Sequence, residues 1–285
     1  MKTANRILVL TATMMFSLVA NISVADGRLK IVASFSILGD MVKQVVGEHA
    51  DVKTIVGPDA DAHVYQPSVA DARAVADADV IFVNGLGFET WSDTLISESG
   101  TNASVHVATA GVKIVTVNGK TDPHAWNSLL NGVVYANNIA ATLSKKIPTK
   151  SDAIEANRAA YVDQLLALDA STKATLKHLP SDKRTVVTAH DAFGYLADAY
   201  DITFLAPLGI DTEAEPSAKE MAILIDQLKA DGAAALFVEN ITSPALVQQI
   251  AEETGLTIGG RLFSDALSER GGPATSYLAM FEHNL

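Results

Sequence analysis

The 285-residue sequence contains no cysteine. That absence excludes a disulfide framework, a thiolate zinc site, a cysteine nucleophile and a lipid anchor attached through an N-terminal cysteine. Charge is also sparse: charged residues are 19% of the chain, and 33 acidic side chains outnumber 21 basic ones, for a formal net charge of −12. Phosphate recognition needs a basic stripe, so no nucleic-acid partner is expected. No charge-free apolar run reaches the ~20 residues of a membrane-spanning helix. A Gly-x-Ser-x-Gly elbow and a His-Glu-x-x-His helix are both missing. The glycines of Asn84-Gly85-Leu86-Gly87 lack the third glycine of a dinucleotide fingerprint and the lysine of a P-loop, so they read as a turn.

What is present begins with a leader. Lys2 and Arg6 precede an apolar run from Ile7 to Ala20, and Ser23-Val24-Ala25 stands before Asp26. This is the pattern of a secretory signal peptide, residues 1–25, cleaved after Ala25. Losing its two cations takes the formal charge from −12 to −14. The remaining chain is expected to be soluble and exported.

After the leader, strands and helices alternate. Leu29–Phe35 reads as a strand, and Leu38, Met41, Val42, Val45 and Val46 mark one face of a helix. Val52–Val56 is a second strand. Pro67 is placed at the first position of a helix whose buried stripe is Val69, Ala72, Val75 and Ala76. Val80–Val83 has no polar alternation, as in a strand covered on both faces. Further strands are expected at Ser104–Ala108 and Lys113–Val117, then a helix over Ser128–Lys146. From Ser151 to His178 there is neither glycine nor proline, and apolar positions recur at helical spacing up to Pro180. That is one long helix, better suited to a strut than to a crossover within a sheet. Beyond it, strands at Thr185–Thr188, Ala234–Val238 and Thr257–Leu262 alternate with helices at Ala192–Tyr200, Ser217–Ala230 and Pro244–Thr254. The fold class is α/β, with a lobe at 26–150, a linking helix at 151–179 and a second lobe at 180–285.

Of seven histidines, His49 and His178 fall in the last turns of helices, His106 lies within a strand and His283 is near the C-terminus. His63, His124 and His190 instead share a place: each follows a strand, as does Asp265. Ligands of parallel α/β sheets sit outside the strands' carboxyl ends. Any one of these histidines alone reads as a polar loop residue. Three imidazoles and a carboxylate at one edge, two donors per lobe, suit a divalent transition metal of borderline softness.

The surrounding segments are Asp61-Ala62-His63-Val64-Tyr65-Gln66-Pro67-Ser68, Asp122-Pro123-His124-Ala125-Trp126, Thr188-Ala189-His190-Asp191-Ala192-Phe193-Gly194-Tyr195 and Phe263-Ser264-Asp265-Ala266-Leu267. Asn84-Gly85-Leu86-Gly87-Phe88-Glu89-Thr90-Trp91 and Glu215-Pro216-Ser217 agree with them. Over essentially the whole mature chain the sequence resembles the zinc- and manganese-binding solute-binding proteins of ABC importers, the TroA-like or cluster A-I family. Where that family more often has tyrosine, this chain has Phe263. The resemblance implies two parallel-sheet α/β lobes joined by one long rigid helix, with one ion per chain held between them by His63, His124, His190 and Asp265. It also implies a periplasmic monomer, not an enzyme, that hands its ion to an ABC-transporter membrane permease.

His190 stands where some family members carry glutamate, a pattern associated with manganese. Imidazole in place of carboxylate favours Zn²⁺ over the harder Mn²⁺. Three-histidine members that handle manganese nonetheless exist, and the histidine-rich loop of many zinc members is absent here, so Mn²⁺ is the alternative. Asp61, Asp122 and Asp191 are candidates to orient the imidazoles, and Glu239 is a candidate alternative ligand or rim residue. The rival from another class is a zinc-dependent hydrolase, with Asp265 withdrawn from the metal and Glu239 as base.

Overall fold

The computed structural model describes residues 27–117, 119–231 and 233–285. The leader and its cleavage position lie outside them. Among the described residues there are ten strands and nine α-helices, and no helix is long and apolar enough to cross a membrane.

The first lobe opens with β1 (Leu29–Phe35), α1 (Ser36–Val46), β2 (Ala50–Val56), α2 (Val69–Ala76), β3 (Val80–Val83), α3 (Ser92–Ser99) and β4 (Ser104–Val107). Its sheet runs β2-β1-β3-β4, every pair parallel. β3 is buried at all four positions, as its unbroken apolar run requires. All five apolar residues assigned to the inner face of α1 are buried.

Two local expectations fail here. Ser68, not Pro67, starts α2: its hydroxyl accepts the Asp71 N–H, and the Asp71 carboxylate accepts the Ser68 N–H at 2.8 Å. This reciprocal capping box makes Ser68 the cap and Val69 the first helical residue, two beyond the proline. The stripe rotates with it, so Val75 is buried while Val69 is 69% exposed and Ala76 faces solvent. Nor is Lys113–Val117 a strand of the sheet. Only β5 (Thr116–Val117) is extended, paired antiparallel with β6 (Lys120–Thr121) as a small hairpin.

α4 (Leu129–Lys146) closes this lobe, and α5 (Ser151–Leu176) is the long linking helix, 26 residues. α5 packs against α1 and α4. The second lobe contains β7 (Thr185–Val187), α6 (Gly194–Tyr200), β8 (Thr203–Leu205), α7 (Ala218–Asp231), β9 (Ala235–Glu239), α8 (Ala245–Thr254), β10 (Ile258–Leu262) and α9 (Tyr277–Asn284). Its sheet runs β10-β9-β7-β8, again parallel throughout. β8, α3 and α9 have no counterpart in the sequence reading.

The apolar interior is shared between the lobes. Its main cluster runs from Ile31, Phe82 and Trp126 to Phe193, Phe263, Tyr277 and Phe281. A smaller one, including Val187, Leu236, Val247 and Ile250, lies under the second sheet. Both sheets reverse strand order next to β1 or β7, and it is at these switch points that parallel α/β folds open a binding crevice.

Candidate metal centre

Two of the three histidines are presented by the same local device. Asp61 accepts the His63 N–H on its side chain at 2.8 Å, and Asp122 accepts the His124 N–H at 2.9 Å. An aspartate two residues ahead of a histidine thus bends each loop, as Asx turns do. His63 lies in the loop after β2. His124 follows the hairpin rather than a sheet strand and leads into a short 3-10 turn before α4. His190 comes three residues after β7, and Asp265 three residues after β10.

The structure brings all four together. One donor atom from each lies within 4.8 Å of the others, and all four residues are buried. His63 Nε2 is 3.2 Å from His124 Nε2. Asp265 Oδ2 is 3.1 Å from His63 Nε2, 3.2 Å from His190 Nε2 and 3.8 Å from His124 Nε2. A tetrahedron of donors ~2.0–2.1 Å from a central zinc has edges of roughly 3.3 Å. The observed separations are near that figure or somewhat wider.

The imidazoles are also turned the right way. His124 Nδ1 lies 2.7 Å from Asp122 Oδ1, and His190 Nδ1 lies 2.6 Å from Glu239 Oε2. The Asp122 hydrogen bond keeps a proton on His124 Nδ1, and the Glu239 charge beside His190 Nδ1 favours a proton there through close charge contact rather than an aligned hydrogen bond, so Nε2 is the atom each ring offers to a metal. Glu239 is therefore neither a ligand nor a rim residue. Its Oε1 also accepts the N–H groups of Ala189 and His190, both at 2.8 Å. It ends β9 beside β7, at the second sheet's switch point, which is why it reaches a histidine 49 residues away. Of the aspartates, Asp122 orients an imidazole ring and Asp61 orients only a backbone. Asp191 takes no such part: it is tied through its own N–H to the Gly209 carbonyl at 3.0 Å.

Electrostatics follow from this packing. Burial opposes charging of His190, yet Glu239 and Asp265 prevail and hold its pKa well above the ordinary imidazole value. Burial likewise opposes ionisation of Asp265, but His190 and His124 draw its pKa well below the usual carboxylate value. The other Asp265 oxygen, Oδ1, is buried without a hydrogen-bond partner among the described residues. Three carboxylates enclosed with three imidazoles create a strong demand for positive charge, which a divalent cation meets.

Aromatic packing and a second buried network complete the enclosure. Phe88 packs edge-on against His63 at 4.9 Å, and Trp126 against His124 at 5.4 Å. Glu89 accepts the Asn84 N–H at 2.6 Å and the Gly85 N–H at 3.2 Å, and Asn84 donates to the Pro123 carbonyl at 2.9 Å. The Asn84–Trp91 stretch is thereby tied to the residue preceding His124, and its glycines serve a turn. His49, His106, His178 and His283 stay away from the centre.

The chain as a whole is similar to known proteins. The family profile described as "ZnuA: Zinc-uptake complex component A periplasmic" matches residues 31–285. The metal ABC transporter substrate-binding lipoprotein FimA of Streptococcus parasanguinis is 33% identical over 300 residues, spanning 100% of this chain and 97% of its own length. The periplasmic zinc binding protein TroA of Treponema pallidum superposes with a TM-score of 0.86 at 28% identity, over 90% of this chain and 96% of its own. A manganese-bound periplasmic metal binding protein of Candidatus Liberibacter asiaticus gives 0.83 at 29% identity, over 89% and 96%. Other relatives bear manganese or iron in their names. Several are named lipoproteins, whereas this sequence has no cysteine to carry a lipid. With the profile matching residues 31–285, the protein belongs to the ZnuA family.

Proposed function

We propose that this protein captures Zn²⁺ outside the cytoplasmic membrane and delivers it to the membrane permease of an ABC importer, with His63, His124, His190 and Asp265 as its four ligands. The observation that carries this reading is the convergence of three inward-facing Nε2 atoms and one carboxylate from both lobes on a single buried point. A set of three imidazoles and one carboxylate suits zinc better than harder ions. Mn²⁺ is the second reading: the unpartnered Asp265 Oδ1 allows a bidentate carboxylate and a fifth donor, and the metals in the relatives' names vary. Hydrolysis is not part of the reading. Four protein donors close the shell that a catalytic zinc keeps open for water, and the family consists of substrate-binding proteins for transport.

In this reading the leader is removed after Ala25, the protein works as an unlipidated periplasmic monomer with one ion, and 26–150, 151–179 and 180–285 are its lobe, linking helix and lobe. The test is competition of purified apo-protein for Zn²⁺ against Mn²⁺, with metal counted per chain. His63→Ala and His124→Ala are each expected to weaken binding severely while the apo fold persists. Unchanged affinity in both refutes the ligand assignment. Saturation at about 100 times Kd adds ~2.7 kcal/mol to stability, about 5–10 °C in melting temperature for a chain of this size; no shift with either ion counts against the function.

A further inference from the structure

The four groups of the centre are not equally enclosed. His124 and His190 are 0% exposed and Asp265 is 1%, whereas His63 keeps 6%. His63 lines a pocket of about 200 Å³ whose walls come from both lobes: Leu86, Thr90 and Lys120 on one side, Ile210, Asp211 and Glu213 on the other. Phe88 and Trp126 close the first-lobe side of the imidazoles, so this pocket is where solvent comes nearest to a ligand.

The second-lobe wall of the pocket belongs to the irregular stretch between β8 and α7. Its near end is fixed beside His190: the Leu208 N–H bonds the Ala189 carbonyl at 3.2 Å, and the Gly209 carbonyl accepts the Asp191 N–H at 3.0 Å. Past that anchor, two side chains reach across the cleft. Thr212 Oγ1 donates to Asp61 Oδ2 at 2.6 Å, and Lys120 Nζ lies 3.9 Å from Asp211 Oδ2. The remaining Asp61 oxygen holds the His63 N–H at 2.8 Å. One carboxylate therefore fastens the second-lobe stretch to the backbone of the one ligand that solvent approaches. A pocket of about 420 Å³, lined by Asp61, Ala189, Leu208, Thr212, Glu215 and Pro216, lies beside the same fastening and leaves the stretch room to swing.

We infer that residues 210–213 form a lid through which the ion passes in both directions, and that Thr212, acting through Asp61, is the positioning residue that holds it shut over His63. The inference rests on the metal-capture reading above. Neither Thr212 nor Asp211 belongs to the ligand set, so loosening the lid changes how fast the ion crosses and not how tightly it is held.

The test is stopped-flow association and dissociation of Zn²⁺, with the equilibrium constant measured separately by chelator competition. Thr212→Val removes the hydroxyl and keeps the shape. A hydrogen bond to a half-buried carboxylate sets the scale, so both rates are expected to rise about tenfold while Kd stays unchanged. Thr212→Ser, which keeps the hydroxyl, restores both rates. Asp211→Asn separates a lid from simple charge attraction. Removing a negative charge at the mouth slows a cation drawn in by electrostatics, but releasing a lid speeds it, here about two- to threefold because the ion pair is exposed. Unchanged rates in Thr212→Val, acceleration confined to dissociation, or slowed association in Asp211→Asn overturns the lid and leaves the metal centre standing. Failure of the unaltered protein to bind Zn²⁺ overturns both.

Discussion

Replacing Glu239 by glutamine exchanges one oxygen for nitrogen at almost constant volume, so its consequences can be followed atom by atom. Oε1 accepts two backbone N–H groups at 2.8 Å, and Oε2 faces His190 Nδ1 at 2.6 Å. If the amide oxygen stays with the backbone donors, its NH₂ faces Nδ1, which must then accept. The imidazole proton moves to Nε2, the atom 3.2 Å from Asp265 Oδ2 and the one whose lone pair the metal needs. If the amide turns over, NH₂ confronts both backbone donors and leaves them unpaired in the interior, at about 1–3 kcal/mol each. The first arrangement is the milder one for the apo-protein, because both backbone donors stay paired. Metal affinity is expected to drop about 10–100-fold, and the apo-protein also loses the stability that the Glu239 charge gives the protonated His190. Chelator competition with Zn²⁺ on the folded variant measures it. Affinity indistinguishable from the unaltered protein refutes the claim that Glu239 sets the His190 tautomer.

Three more predictions bear on the same centre. A Cβ at Gly194 would collide with Asp122 Oδ2, so Gly194→Ala displaces the carboxylate that orients His124; crowding of this kind costs about 1–3 kcal/mol, and melting and competition assays should show lower apo stability together with weaker metal binding. Because the folded-state pKa of His190 is raised by Glu239 and Asp265 against the opposing effect of burial, its contribution to apo stability is complete below the unfolded imidazole value and is lost as pH rises through the folded one. Metal displaces that proton, so affinity climbs over the same range. Calorimetry in buffers of differing ionisation enthalpy should register proton release, and its absence at neutral pH contradicts the charged imidazole. Asp265 works in the opposite sense: its depressed pKa contributes stability above the unfolded carboxylate value that is lost as pH falls through the folded one.

The parts of this molecule governed by short-range rules could be read from the residues. The inner face of α1, the buried β3 and the extent of α5 all follow from apolar spacing and the absence of breakers. Position after strands marks the four donors as candidates and the family resemblance joins them into one set, although His124 reaches the centre from a hairpin rather than a sheet edge. Short-range competition explains the misplaced start of α2, where the Ser68–Asp71 box outweighs Pro67. β8 is three residues long and carries no pattern long enough to detect. The role of Glu239 was hidden for a different reason. Asp61 and Asp122 announce themselves two residues ahead of their histidines, but the partner of His190 arrives from β9 through sheet order, and spacing along the chain holds no trace of strand order.

The shared interior of the two lobes has a consequence for when the protein becomes competent. Trp126 donates to the Ser264 carbonyl at 2.7 Å, Tyr277 packs in the same cluster as Trp126, and Leu267 donates to Ser36 at 2.9 Å. The segment that supplies the last donor is thus also the one that seals the first lobe. A nascent chain folded only through α4 has two imidazoles and no carboxylate to complete their shell, too few to retain an ion against water and competing chelators. The complete set of donors therefore exists only once the Phe263–Leu267 segment has docked against the first lobe.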